Sequence, residues 1–144
     1  MQEDISDSIR KYYDDWFEIN KIYDAWAKKH RIPEKTLFVL IEIITSKVPC
    51  TQTLICENKL YSKQTVSQIL NGLEDQGLLR RIVRLDDKRN KTIVLTEKGE
   101  HYALSLFHEM RDAEIKAFML LTPKERKTVN DGFHLLSRAL SKTF

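Results

Sequence analysis

The chain has 144 residues, a hydrophobic fraction of 42%, a charged fraction of 31% and a net charge of +3. These values fit one domain with helical extensions and a core that needs no disulfides, and they exclude a disordered tail. Only four Gly and three Pro are present, which favours long helices over many turns.

Ile5, Ile9, Tyr12, Tyr13, Trp16, Ile19, Tyr23 and Trp26 recur at steps of three and four. This predicts an amphipathic first helix of six or more turns with an unusually aromatic stripe. His30-Arg-Ile-Pro breaks it, and Pro33 is expected at the first position of the next helix. Leu37, Phe38, Leu40, Ile41 and Ile44 mark that second helix as mostly buried, and Val48-Pro49-Cys50 ends it. Thr51 is the expected N-cap of a short third helix, and Ser62 of a fourth.

In the fourth helix Val66, Ile69, Leu70 and Leu73 share a core-facing side, and Gly77 fits the left-handed position after its end. Leu79–Leu85 and Lys91–Leu95 read as two strands joined by the charged turn Asp86-Asp-Lys-Arg-Asn. Thr96 is expected to cap a long fifth helix. Leu121-Thr-Pro-Lys-Glu opens the last one, with Thr122 as N-cap, Pro123 as first helical residue and Glu125 as capping-box partner. The expected fold is mainly α with a small two-stranded β wing: a winged helix-turn-helix lobe plus terminal helices that form a dimerisation region. Its expected divisions are 1–32, 33–96 and 97–144.

Charge is unevenly placed. From Lys59 to Lys98 nine Lys and Arg face five acids, while residues 1–24 hold seven acids and three bases. A basic middle beside an acidic start points to a local surface for a polyanion. On the fourth helix Gln64, Ser67, Gln68 and Asn71 lie opposite the core side, and Ser62, Lys63 and Thr65 stand at its start. Short polar side chains of this kind suit base edges in a major groove. On the wing, Arg89 is the expected minor-groove residue. Asp87 is expected to hold its guanidinium, and Arg84, Lys88 and Lys91 are further candidates for DNA contact. Thr51 and Gln52 offer a helix start to one phosphate.

Residues 51–99 carry a resemblance that extends over nearly the whole chain. Its pieces are Thr51-Gln, Ile55-Cys-Glu, Lys63-Gln-Thr-Val, Leu73-Glu, Gln76-Gly-Leu, Asp87-Lys-Arg and Leu95-Thr-Glu-Lys-Gly, with the later Leu121-Thr-Pro-Lys-Glu. In this order they resemble the MarR family of bacterial transcription regulators. The resemblance implies a homodimer built from the terminal helices, a palindromic operator in double-stranded DNA, action as a repressor, and release by a small-molecule effector. It also implies the role of the Asp-x-Arg pair at Asp87 and Arg89.

Trp16, Tyr23, Trp26 and Phe38 are candidates to line an effector crevice, or are core and dimer interface. Cys50 and Cys56 are expected to be free thiols, with Cys56 buried and Cys50 the more exposed. The four His show no ligand spacing, so neither a metal nor a cofactor is expected, and no nucleophile or phosphate-loop motif suggests an enzyme. The acidic start and the lack of a long apolar run predict a cytoplasmic protein without membrane contact. Two other readings stay open: a winged-helix module that binds protein instead of DNA, and a metal-responsive regulator.

Overall fold

A computed structural model of the chain describes residues 4–144. Its elements are α1 (Ile5–Lys29), α2 (Glu34–Thr45), α3 (Gln52–Lys59), α4 (Lys63–Asp75), β1 (Leu79–Ile82), β2 (Thr92–Leu95), α5 (Glu97–Met119) and α6 (Pro123–Ser141). They fall into two compact units, one ending at Leu104 and the other spanning Ser105–Phe144.

In the first unit α2 is the central element, packed on α1, α3, α4 and β2. Leu37, Val39 and Leu40 of α2 are fully enclosed, together with Ile55 of α3 and Val66 and Leu70 of α4. Each such side chain contributes about 1.5–3 kcal/mol by leaving water. Caps set the helix starts. Thr51 Oγ1 accepts from Leu54 N (3.2 Å), and Ser62 Oγ accepts from Thr65 N (3.1 Å). Pro33 departs from expectation. Its ψ of 140° is extended, so it is the N-cap and α2 begins at Glu34. The ring fixes φ but leaves ψ free.

The wing is a two-stranded antiparallel sheet pairing Leu79 with Leu95, Arg80 with Val94, Arg81 with Ile93 and Ile82 with Thr92. Its strands are shorter than the sequence predicts. Residues 83–91 leave the ladder, and polar side chains there bond to their own loop, which competes with strand pairing. Ile93 N donates to Cys50 O (2.8 Å), and Thr51 bridges to Thr92, so the wing is tied to the segment before α3.

Gly77 takes the left-handed conformation (φ 73°) that ends α4. Gly99 answers to space instead. A Cβ there would lie 1.7 Å from Leu78 O, so α5 passes directly against the backbone entering β1.

In the second unit the α5–α6 turn is closed locally. Thr122 N donates to Glu125 Oε2 (2.7 Å), and Glu125 N donates to Thr122 Oγ1 (3.2 Å). Arg126 Nη1 donates to Leu121 O (2.9 Å) and Phe118 O (3.1 Å). Val129, Phe133 and Leu140 of α6 are exposed in the single chain. So are Ile9, Trp16, Phe17 and Ile22 of α1 in the first unit. Among the described residues, no helix is long and apolar enough to cross a membrane.

Gly99→Ala is expected to destabilise the protein by about 3 kcal/mol, the upper range for forced overpacking. A fall in the urea midpoint at unchanged m-value would show it.

Candidate nucleic-acid interface

The two helices α3 and α4 are joined through Leu60, whose φ of 54° is left-handed and whose side chain is exposed. Gln52 Nε2 donates to Lys63 O (3.1 Å), which fixes the start of α4 against the start of α3. Val66, Leu70 and Leu73 anchor α4 to the core. Gln64, Gln68 and Asn71 are consequently exposed on its other side, with Ser67 and Thr65 half-buried. Ser62 and Thr65 are partly occupied by each other, since Ser62 Oγ donates to Thr65 Oγ1 (2.8 Å). Lys63 is exposed at the helix start.

Thr51 lies 6% exposed with its hydroxyl engaged in the cap. What the start of α3 offers to solvent is Gln52 and the surrounding backbone, with little of the Thr51 side chain.

At the wing the carboxylates do different work from that expected. Asp87 does not hold the Arg89 guanidinium in this structure. Its Oδ1 accepts from Arg89 N (3.1 Å), a bond between neighbours two apart that shapes the turn. Arg84 is held by Asp86 through two parallel bonds, Nε to Oδ1 (3.1 Å) and Nη2 to Oδ2 (2.8 Å). That pairing pulls the Asp86 carboxyl below its ordinary range and raises the Arg84 guanidinium. Lys88, Arg89 and Lys91 remain exposed along the tip.

A groove of about 630 Å³ runs between the starts of α3 and α4 and the wing. Gln52, Lys63, Arg81, Arg89 and Lys91 line it, with Asp87 the acid among them. Converging cations of this kind fit a phosphate backbone.

Arg81 is a residue whose role the sequence does not reveal. It pairs with buried Ile93 and therefore shares the inward face of the wing. There it bonds to Asn71 and Glu74 of α4. The spacing of Asn71 and Glu74, one turn apart, is the sequence trace of this contact, and it is too common to be diagnostic.

The proposed aromatic crevice is only partly assembled. Tyr23 and Phe38 meet at 5.8 Å between ring centroids. Trp26 instead stacks on His30 (3.8 Å), and Trp16 stands beside Tyr12 (6.1 Å). A separate cavity of about 450 Å³ lies between α4 and the start of α2, lined among others by Arg31, Thr36, Thr65, Gln68, Gly72 and Tyr102.

The cysteines reverse the expected order of burial. Cys50 is 5% exposed, and desolvation, followed by the charge of Glu42, pushes its thiol up to about 11. Cys56 is half-buried and lines the basic groove. Cys50 is enclosed because its carbonyl receives the wing's Ile93, a contact distant in sequence. Among the described residues, no group of three His, Cys, Asp or Glu is placed to hold a metal ion.

The MarR family model matches residues 36–90, from α2 through the wing tip. The helix-turn-helix and wing of this chain thus match the MarR family. A MarR family regulator from Neisseria meningitidis, NMB1585, superimposes with a TM-score of 0.79 at 25% identity, over 94% of this chain and 95% of its own. The S. aureus MepR–DNA complex shares the fold with a TM-score of 0.76 at 20% identity, over 91% of this chain and 96% of that one. Among curated relatives, the uncharacterized HTH-type transcriptional regulator YfiV of Bacillus subtilis is 29% identical over 86 residues, 60% of this chain and 54% of YfiV. The match thus spans about half the length of that relative.

The burial order sets thiol reactivity. At pH 8 a maleimide is expected to label Cys56 first, with Cys50 following only on unfolding, since roughly one Cys50 in a thousand is then thiolate. The folded state favours the protonated Cys50 thiol. Its contribution to stability holds below the usual value of 9.0 and is lost as pH rises toward about 11. Mass spectrometry of the labelled peptides checks the order.

Proposed function

We propose that this chain is a MarR family member and a sequence-specific transcription regulator, acting as a repressor and as a homodimer on double-stranded DNA. The observation that carries this reading is the exposed polar side of α4 beside a groove lined by Lys63, Arg89 and Lys91. In this reading α4 enters a major groove and the Asp86–Lys91 tip reaches the flanking minor groove. Gln64 and Gln68 read bases, while Lys63, Lys88 and Lys91 meet phosphates. The protein binds and does not catalyse, and it works in the cytoplasm, where its DNA is.

The terminal regions 1–32 and 97–144 serve dimerisation in this proposal. Ile9, Trp16, Phe17, Phe133 and Leu140 are exposed in one chain and would be covered by a second copy. A two-fold dimer then requires a near-palindromic operator with half-sites about one helical turn apart. A small effector that displaced α4 would release the DNA, and the cavity between α4 and the start of α2 includes Thr65 and Gln68 in its wall.

Fluorescence anisotropy against DNA from upstream of the protein's own gene, and against a scrambled duplex, tests the reading across a salt series. One dimer per native site with much weaker scrambled binding supports it. No binding to either duplex at any salt would refute it and favour a protein-interaction module. Arg89→Ala is expected to weaken the native site about tenfold. Lys88→Ala should weaken all sequences alike and reduce the salt slope by about one.

The dimer is tested separately. Phe133→Glu should leave helix content intact in circular dichroism and shift the sedimentation coefficient to that of a monomer. A variant that still sediments as the wild-type dimer would place the interface elsewhere.

A further inference from the structure

We propose that Arg81 sets which base α4 reads, by holding the Asn71 carboxamide so that only its N–H groups face a base. The inference rests on the DNA-binding reading above and makes it more specific.

Arg81 Nη2 donates to Asn71 Oδ1 and to Glu74 Oε1 (3.4 Å), and Arg81 Nε donates to Glu74 Oε2 (3.3 Å). Its side chain is only 20% exposed, and it lines the groove between the starts of α3 and α4 and the wing. Glu74 anchors this arrangement. Its hydrogen bond from Arg81 holds the carboxyl below its ordinary range, so the anchor stays charged at neutral pH.

Arginine carries donors and no acceptor. The Asn71 atom facing it is therefore the oxygen, which settles the orientation of the amide. Adenine recognition by asparagine needs both amide atoms directed at one base edge: the oxygen accepts from N6 and the nitrogen donates to N7. Here the oxygen is turned toward β1. Among the described residues no acceptor is recorded for Asn71 Nδ2, and the residue is exposed on the same side of α4 as Gln64 and Gln68. What Asn71 offers outward is a donor. It fits an acceptor such as guanine O6 or N7 or thymine O4, and it gives adenine no advantage.

Arg81 is thus a positioning residue that acts through Asn71. Its effect should be confined to one base position in each half-site, which a general loss of wing stability would not produce. Arg81→Met keeps length and removes every donor. It should free Oδ1 and let Asn71 engage adenine through both atoms. Arg81→Lys keeps a donor and should retain the wild-type preference. Asn71→Ala, at an exposed position, should remove the preference whatever occupies position 81.

The test is selection of binding sites from a randomised duplex library by the full-length wild type and by Arg81→Met, Arg81→Lys and Asn71→Ala. The expected result is a rise of adenine by roughly tenfold over guanine at one position per half-site in Arg81→Met. Arg81→Lys should match the wild type, and Asn71→Ala should be flat at that position. The same base ranking at every position in wild type and Asn71→Ala would overturn the proposal while leaving the DNA reading intact, and this holds even if Arg81→Met fails to fold. A uniform loss of affinity in Arg81→Met with unchanged ranking would overturn it too. If the wild type selected no sequence at all, the DNA reading itself would fall and the inference with it.

Discussion

The buried side of α2 is the constraint on which the lobe depends. Leu37, Val39 and Leu40 have no exposed surface, and α2 meets α1, α3, α4 and β2. A helix that touches four neighbours fixes their mutual placement, because a close-packed interior does not deform continuously. The wing shows why this matters. Two strands of four residues are not stable alone. They persist because Leu79 and Ile93 enter the same core and because Ile93 is bonded to Cys50 beside α3. The cationic tip therefore has a fixed place relative to α4, as the proposed reading of two grooves requires.

Charge is then distributed between internal and external work. Arg84 and Asp86 satisfy each other, Asp87 shapes the turn, and Arg81 bridges the wing to α4. These groups are exposed or at the surface, so their pairing adds little to stability. Their effect is geometric. They hold the hairpin in one form while Lys63, Lys88, Arg89 and Lys91 stay exposed. An Asp87 that organises backbone supports Arg89 indirectly, by setting where its Cα stands.

The α5–α6 unit has a different character. Its turn is closed by the Thr122–Glu125 capping box and the Arg126 clamp, so its local form needs no distant partner. Its apolar residues are another matter, since Phe133 and Leu140 remain exposed in one chain. Within a single chain the unit is locally complete and hydrophobically unfinished, which is the physical basis for assigning it to association.

The helices and their caps were legible in the sequence, because both arise from interactions between residues three or four apart. The stripe of α1, the Thr51, Ser62 and Thr122 caps and the left-handed Gly77 all belong to this class. The exposed side of α4 followed from the same periodicity. The remaining features depend on residues far apart in the chain. The enclosure of Cys50 comes from Ile93, the orientation of Arg81 from the β1–β2 register, and the need for glycine at position 99 from the backbone of Leu78. Local periodicity carries no information about such meetings. The sequence by itself determined which segments are helical and which of their sides are polar. Tertiary structure alone decided which charged groups are occupied within the molecule and which are left to face a partner.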